Sequence, residues 1–296
     1  MRRIGPSVRL YADGMRGALL AAVVAAALAL APATDSAAPS ATLIAVGDIA
    51  SCSSDSDERT AELVDGLRGT IALLGDTVYD RGTPDEYARC FAPSWGRHRA
   101  RSRPAVGNHE YGTPGAAGYF SYFGARAHPP RGYYAYSLGA WRILVVNTNC
   151  APAGGCERGS PQERWLRAEL RRNRSRCVLA YGHHPRWSSG PHGPDATIDG
   201  LWRALVDGGA EMYLAGHDHD YERFAPIGGV RQFVVGTGGR SLYPIVRNLR
   251  ASRARQATRF GVLVLQLLAR SYSWRFEPAT RGSFTDRGTA RCTPGR

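Results

Sequence analysis

Five short motifs join a glycine to side chains that hold metals or move protons. They are Gly47-Asp48, Gly75-Asp76-Thr77-Val78-Tyr79, Gly107-Asn108-His109-Glu110, Gly182-His183-His184-Pro185 and Gly216-His217-Asp218-His219. Six of the eight histidines fall inside or beside these motifs, counting His192, which follows the fourth. Chance placement would scatter them. A His-x-His pair in a turn can aim two imidazoles at neighbouring ions, and one carboxylate can bridge two cations. The inventory suits a two-metal site, with ions roughly 3.5–4 Å apart clamping a phosphoryl group. Alone, each motif reads as a turn with a solvated side chain; the ordered set of five is specific.

The motifs need elements to position them. Thr42 to Gly47 and Thr70 to Gly75 are apolar runs that end at the first two, and Asp57 to Leu67 has a helical pattern between them, which predicts a βαβ unit. Tyr133–Leu138 and Trp141–Asn147, separated by Gly139-Ala140, predict a hairpin. Ser160-Pro161-Gln162-Glu163 starts a helix that runs through Arg172. Further strands are expected at Cys177–Tyr181, Met212–Ala215, Gln232–Val235, Phe260–Leu268 and Ser271–Phe276, with a helix at Asp199–Val206. Alternating strands and helices give sheets covered by helices, whose strand carboxyl ends are where ligands bind.

With 296 residues, 43% hydrophobic, the chain can build a sizeable core, and one domain is expected for its body. All 38 basic residues are arginine, for a net charge of +13. The lack of lysine excludes Schiff-base chemistry and a P-loop. Because every lysine is replaced, the charge reads as a codon bias rather than an adaptation to nucleic acid, and no stable nucleic-acid partner is expected. Arg97, Arg99, Arg101 and Arg103 are read as a solvated face, and His98 and His128 as surface histidines.

Residues 1–33 read as a secretory signal peptide. Arg2, Arg3, Arg9 and Arg16 precede an uncharged run from Ala18 to Ala31, and Ala31-Pro32-Ala33 offers a cleavage site. A membrane anchor is the rival, but the run falls short of the roughly 20 residues a span needs. Residues 34–41 form a short lead, and 42–296 the folded body, a secreted protein, extracellular or associated with a cell wall. In an exported chain, six cysteines fit three disulfides, with fifteen pairings open. Cys150 and Cys156 enclose a flexible Ala-Pro-Ala-Gly-Gly and are paired. Cys52 and Cys90 follow the first two motifs, and a bridge from Cys177 to Cys292 would tie down the tail.

From about Leu43 to Gly239 the motifs resemble the metallophosphoesterases, and within them the purple acid phosphatases, in order and spacing. Ala50 stands where ordinary metallophosphoesterases carry the His of Asp-x-His, and Tyr79 stands as in the Gly-Asp-x-x-Tyr of the purple enzymes. His183-His184-Pro185-Arg186-Trp187-Ser188 followed by His192-Gly193-Pro194 looks like the small mammalian-type enzymes, and Glu110 replaces a commoner Asp. The resemblance implies an α/β fold, a four-layer α/β/β/α sandwich of two mixed sheets flanked by helices. It implies that Asp48, Tyr79 and His219 bind one metal, expected to be Fe(III), and that Asp76 bridges to a second. That second ion, Fe(II), Zn or Mn, is implied to sit on Asn108, His183 and His217. Hard oxygen donors suit a trivalent ion, and imidazole a divalent one. His109 and His192 are implied to hold phosphoryl oxygens and protonate the leaving group, as a hydroxide held on the metals attacks small phosphomonoesters. His184 is read as packing or supporting the site. Asp218 and Asp220-Tyr221-Glu222-Arg223 either support ligands or form a salt-bridged surface turn. Phosphodiester hydrolysis on the same centre and a non-catalytic secreted binder are the alternatives. Loops 111–132 and 186–198 would decide the substrate.

Overall fold

Fifteen strands carry the molecule, described here in a computed structural model over residues 40–173 and 176–293. The signal-peptide reading, and all of the short lead but its last two residues, lie outside the described residues. In chain order the strands are β1 (Ala41–Val46), β2 (Ala50–Ser51), β3 (Thr70–Leu74), β4 (Val78–Tyr79), β5 (Ser102–Ala105), β6 (Tyr134–Leu138), β7 (Trp141–Val145) and β8 (Val178–Tyr181). They continue as β9 (Met212–Ala215), β10 (Tyr221–Phe224), β11 (Arg231–Val235), β12 (Ser252–Gln256), β13 (Gly261–Leu267), β14 (Ser271–Pro278) and β15 (Arg287–Arg291).

Two mixed sheets form. One has the order β15-β14-β13-β1-β3-β5, the other β12-β10-β11-β9-β8-β7-β6, and β2 pairs with β4 apart from both. The runs β1-β3-β5 of the first sheet (Ile44 opposite Ile71) and β7-β8-β9-β11 of the second are parallel, and the remaining pairings in both are antiparallel. Side chains alternate across a strand, so each central strand feeds two cores. Leu43 and Ala45 of β1 meet Leu179, Tyr181, Met212 and Leu214 in the core between the sheets. Ile44 and Val46 pack the other way, with Ala61 and Val64 of the helix Ser56–Asp65. Val178, Ala180 and Tyr213 pack outward on Leu166 and Leu170 of the helix Pro161–Arg172 and on Leu201 and Leu205 of the helix Asp199–Asp207. Three cores between successive layers make the expected helix-sheet-sheet-helix sandwich. All described residues fall in one compact unit, and none of their helices is long and apolar enough to cross a membrane.

All six cysteines are bonded, as Cys52–Cys90, Cys150–Cys156 and Cys177–Cys292. The predicted hairpin closes as read, with Leu138 opposite Trp141. Two surface readings change. His98 is buried, with Nε2 3.1 Å from the Ala61 carbonyl, because the turn Trp95–Arg101 folds onto the helix Ser56–Asp65. The four alternating arginines share no solvated face. Arg97 pairs with Asp65, Arg101 donates to the Val64 and Leu67 carbonyls at that helix's end, and Arg99 and Arg103 lie over Tyr122 and Tyr136. Helix ends leave carbonyls unpaired, and arginine is well suited to cover them. His128 is exposed as expected, its ring stacked on Tyr134.

Candidate metal centre

Each motif lies at or just past the carboxyl end of a strand in a parallel run: Asp48 after β1, Asp76 and Tyr79 after β3, Asn108 and His109 after β5, His183 after β8, and His217 and His219 after β9. Asp48 (φ 61°), Asp76 (φ 48°) and His217 (φ 72°) are all left-handed, each directly after its glycine. Such conformations cost roughly 1–3 kcal/mol for non-glycine residues and persist where the surroundings over-determine them. Here the surroundings are hydrogen bonds between the turns. The Asp48 amide donates to the Gly75 carbonyl (3.2 Å), that of His217 to Asp48 Oδ2 (2.9 Å), and that of His109 to Asp76 Oδ1 (2.9 Å). Gly107 is compulsory, because a Cβ there would lie 2.0 Å from Asp76 Oδ1.

Glu110 ties two of the turns together, a role that its sequence position did not announce. It is fully buried; Oε2 accepts from the amides of Asp76 (3.0 Å) and Gly107 (2.6 Å), and Oε1 from the amide of Thr77 (2.6 Å). One side chain thus fixes the loop of Asp76 to the loop of Asn108.

The seven residues expected to bind metals come together in two overlapping groups. In the first, Tyr79 Oη lies 2.8 Å from Asp48 Oδ1, 3.0 Å from Asp76 Oδ2 and 3.1 Å from His219 Nε2. In the second, His183 Nε2 lies 2.9 Å from Asn108 Oδ1, 3.1 Å from Asp76 Oδ2 and 3.2 Å from His217 Nδ1. Asp76 Oδ2 belongs to both. Asp48, Asp76 and His183 could hold an ion together, as could His183, His184 and His217.

Counting protons shows what these groups lack. The Tyr79 hydroxyl has one proton for the two carboxylate oxygens beside it. His183 Nδ1 faces the Leu74 carbonyl at 2.9 Å and must donate to it, so the neutral ring turns a lone pair toward Asn108 and Asp76. Lone pairs converging on lone pairs, in a buried place, call for positive charge between them. Without a cation, a proton takes that part. Burial opposes charge on His183, but Asp76 outweighs it and lifts the pKa to about 9. Asp76 is itself held below the usual carboxylate range, as the His183 charge overcomes the cost of burial. Burial, then Asp48 and Asp76, push the Tyr79 phenol well above its ordinary value. Burial, then the charges of His183 and His184, push His217 far down and leave its lone pair free. The donors fit metal cations, whose charge would reverse the bias on Tyr79.

Two histidines flank this cluster. His109 Nδ1 donates to the Asp80 carbonyl (2.6 Å), which leaves Nε2 free, 4.0 Å from Asp76 Oδ2. The His192 ring lies 4.2 Å from that of His217, with Nδ1 2.7 Å from Asp218 Oδ1. The hydrogen bond that His192 donates to Asp218 raises the pKa of His192 against partial burial. Asp218 is thus a buried support, and Tyr221–Phe224 is a strand rather than a surface turn. Glu222 is buried too, accepting from the amide and hydroxyl of Ser189. His184 sits 2.8 Å from Thr148 Oγ1, which also accepts from the amides of His183 (3.3 Å) and His184 (2.9 Å). Three residues beyond the last motif complete one wall. Ser241 Oγ lies 2.8 Å from His219 Nδ1, Tyr243 stacks on the His219 ring at 3.9 Å, and the Arg240 guanidinium lies 5.2 Å from the Tyr79 ring centre. Their only signal in the sequence was the Gly-Thr-Gly-Gly before them.

The chain belongs to the calcineurin-like phosphoesterase family, whose model matches residues 41–221. It is similar to tartrate-resistant acid phosphatase type 5 of Mus musculus, at 26% identity over 208 residues, 61% of this chain and 63% of that protein. The match therefore spans just under two thirds of that relative's length. Among solved structures, the fold is similar to that of purple acid phosphatase PPD1 from yellow lupin (TM-score 0.66, 16% identity, 85% of this chain and 54% of that one). It is equally similar to GAP50, the anchor in the inner membrane complex of Plasmodium (TM-score 0.66, 13% identity, 84% of this chain and 88% of that one). A fold shared by a phosphatase and an anchor leaves function to be argued from the site.

Proposed function

We propose that this chain is a secreted phosphatase that hydrolyses phosphomonoesters with water on a dinuclear metal centre. The observation that carries the reading is the sharing of Asp76 Oδ2 between the Tyr79 group and the His183 group, 3.0 and 3.1 Å from each. Asp48, Tyr79 and His219 would hold a first ion, Fe(III), and Asn108, His183 and His217 a second, Fe(II), Zn or Mn, with Asp76 available to both. When bound, the ions supply Lewis acidity and a water activated near neutral pH. The remaining work falls to the protein. The buried turns exclude bulk solvent from beneath the phosphoryl group and keep the donors fixed, so that little reorganisation accompanies reaction. His109 and His192, each with Nδ1 engaged and Nε2 free, hold phosphoryl oxygens. As the bond from phosphorus to the ester oxygen breaks, one of them gives its proton to the leaving alkoxide. Export is supported by the N-terminal charge and apolar pattern and by the pairing of every cysteine.

Hydrolysis of p-nitrophenyl phosphate and bis(p-nitrophenyl) phosphate across pH, with His183→Ala as control, tests this. Monoester turnover well above diester turnover, lost in the variant, is expected. Diester preference, or no turnover of either after metal reconstitution, would overturn the assignment.

A further inference from the structure

Arg240 has no part in the donor set, yet it stands at the rim of the centre with its charge only lightly engaged. Its amide donates to the carbonyl of Asp48 (3.1 Å), so its backbone is fixed to the first donor's turn. Its guanidinium lies over the Tyr79 ring, which also packs against the His109 ring, with centroids 4.3 Å apart. Among the described residues the charge has one ionic partner, Asp80 Oδ1 at 3.2 Å, and the Asp80 side chain is 70% exposed. A pair with so exposed a member is weak, so an incoming anion can displace it. Arg240 is thus a planar donor held beside the Tyr79 ring, with its side chain 30% exposed to an arriving anion. Arginine there offers paired N–H groups that match two oxygens of a phosphate.

We infer that Arg240 is a substrate contact that binds anionic phosphate oxygens at the tyrosine side of the site, with Asp80 as a competing anion that holds it ready. The contacted oxygens belong either to the scissile phosphoryl group or to a second phosphate on the same substrate. This rests on the phosphatase reading for its ligand, but equilibrium binding tests it without turnover, so the two can fail separately.

The experiment is calorimetric binding of orthophosphate and of diphosphate to the metal-loaded protein, comparing wild type with Arg240→Ala, Arg240→Lys and Asp80→Asn. Metal content and thermal midpoint are recorded for each. Arg240→Ala is expected to weaken binding about tenfold or more, as loss of a hydrogen bond to a charged group does, with Arg240→Lys in between. Asp80→Asn is expected to tighten binding a few-fold, since the guanidinium loses its competitor. Equal weakening for both anions places Arg240 on the scissile phosphoryl group. Weakening for diphosphate alone places it on a second phosphate. Unchanged binding of both anions by a folded, metal-loaded Arg240→Ala protein would overturn the inference. So would weakening by Asp80→Asn as large as that by Arg240→Ala, which would make the pair a structural clasp.

Discussion

The two halves of the candidate centre are built from different chemistry on the same plan. The Tyr79 half offers oxygen: a phenol between the carboxylates of Asp48 and Asp76, with His219 the lone imidazole. The His183 half offers nitrogen, with His183 and His217 beside the Asn108 amide. Their supports differ as well. His219 is oriented by side chains of an irregular segment, Ser241 and Tyr243, whereas His183 is oriented by the Leu74 carbonyl at the end of a central strand. The lesson is that the nitrogen half is held by the fold itself, and the oxygen half partly by a loop. Metal affinity at the oxygen half should therefore be the easier to disturb from outside.

The largest expected effect joins the halves. Asp76→Asn removes the shared carboxylate charge, and turnover should fall roughly 10³-fold, the upper end for loss of one electrostatic group. Metal analysis of the variant should show both halves depleted; depletion of one alone would break the picture of a bridge. Tyr79→Phe sharpens the difference between halves. The ferric assignment predicts loss of a visible tyrosinate absorption band while the metal at the nitrogen half stays, read by absorption spectroscopy alongside metal analysis. Ser241→Ala should lower affinity at the oxygen half by about tenfold, the lower end for losing a ligand's hydrogen-bonded support, in competition with a chelator. Thr148→Ala, which reaches the nitrogen half only through backbone amides, should do less.

The smallest expected effect lies away from the metals. Asp286 accepts from Arg223 Nε (2.8 Å) and Nη2 (2.9 Å) and from Tyr221 Oη (2.6 Å), and these bonds hold its pKa below the usual range although burial opposes them. Asp286→Asn should cost about 1–3 kcal/mol at neutral pH by urea unfolding. A depressed carboxylate stabilises above its unfolded value of about 3.9 and stops doing so as pH falls through its folded value. The gap between wild type and variant should therefore close in acid below roughly pH 4, with no change in metal content.

What could be read from the sequence follows from what creates a signal. Leu43–Val46 and Ile71–Leu74 are buried on both faces, so they appear as unbroken apolar runs that stop at the glycines. Those glycines then pointed to the donor residues. The edge strands Ser252–Gln256 and Arg287–Arg291 are polar and half solvated, and they leave no such run. Residues 220–223 could be read equally as a support or as a charged turn, because the partners that satisfy Glu222 and Arg223 come from Ser189 and Asp286, distant in the chain. His98 and Arg101 looked like surface residues for the same reason, since only the folded contact with the helix Ser56–Asp65 buries one and engages the other. Arg240, Ser241 and Tyr243 belong to no repeating pattern, and their meaning arises only where the chain passes Tyr79 and His219.

The most direct test of the account is metal content per chain in purified, active protein, by inductively coupled plasma mass spectrometry. Two ions per chain are expected, at least one of them iron, with turnover falling as chelator removes them. Full phosphatase turnover with one ion per chain or none would contradict the shared centre.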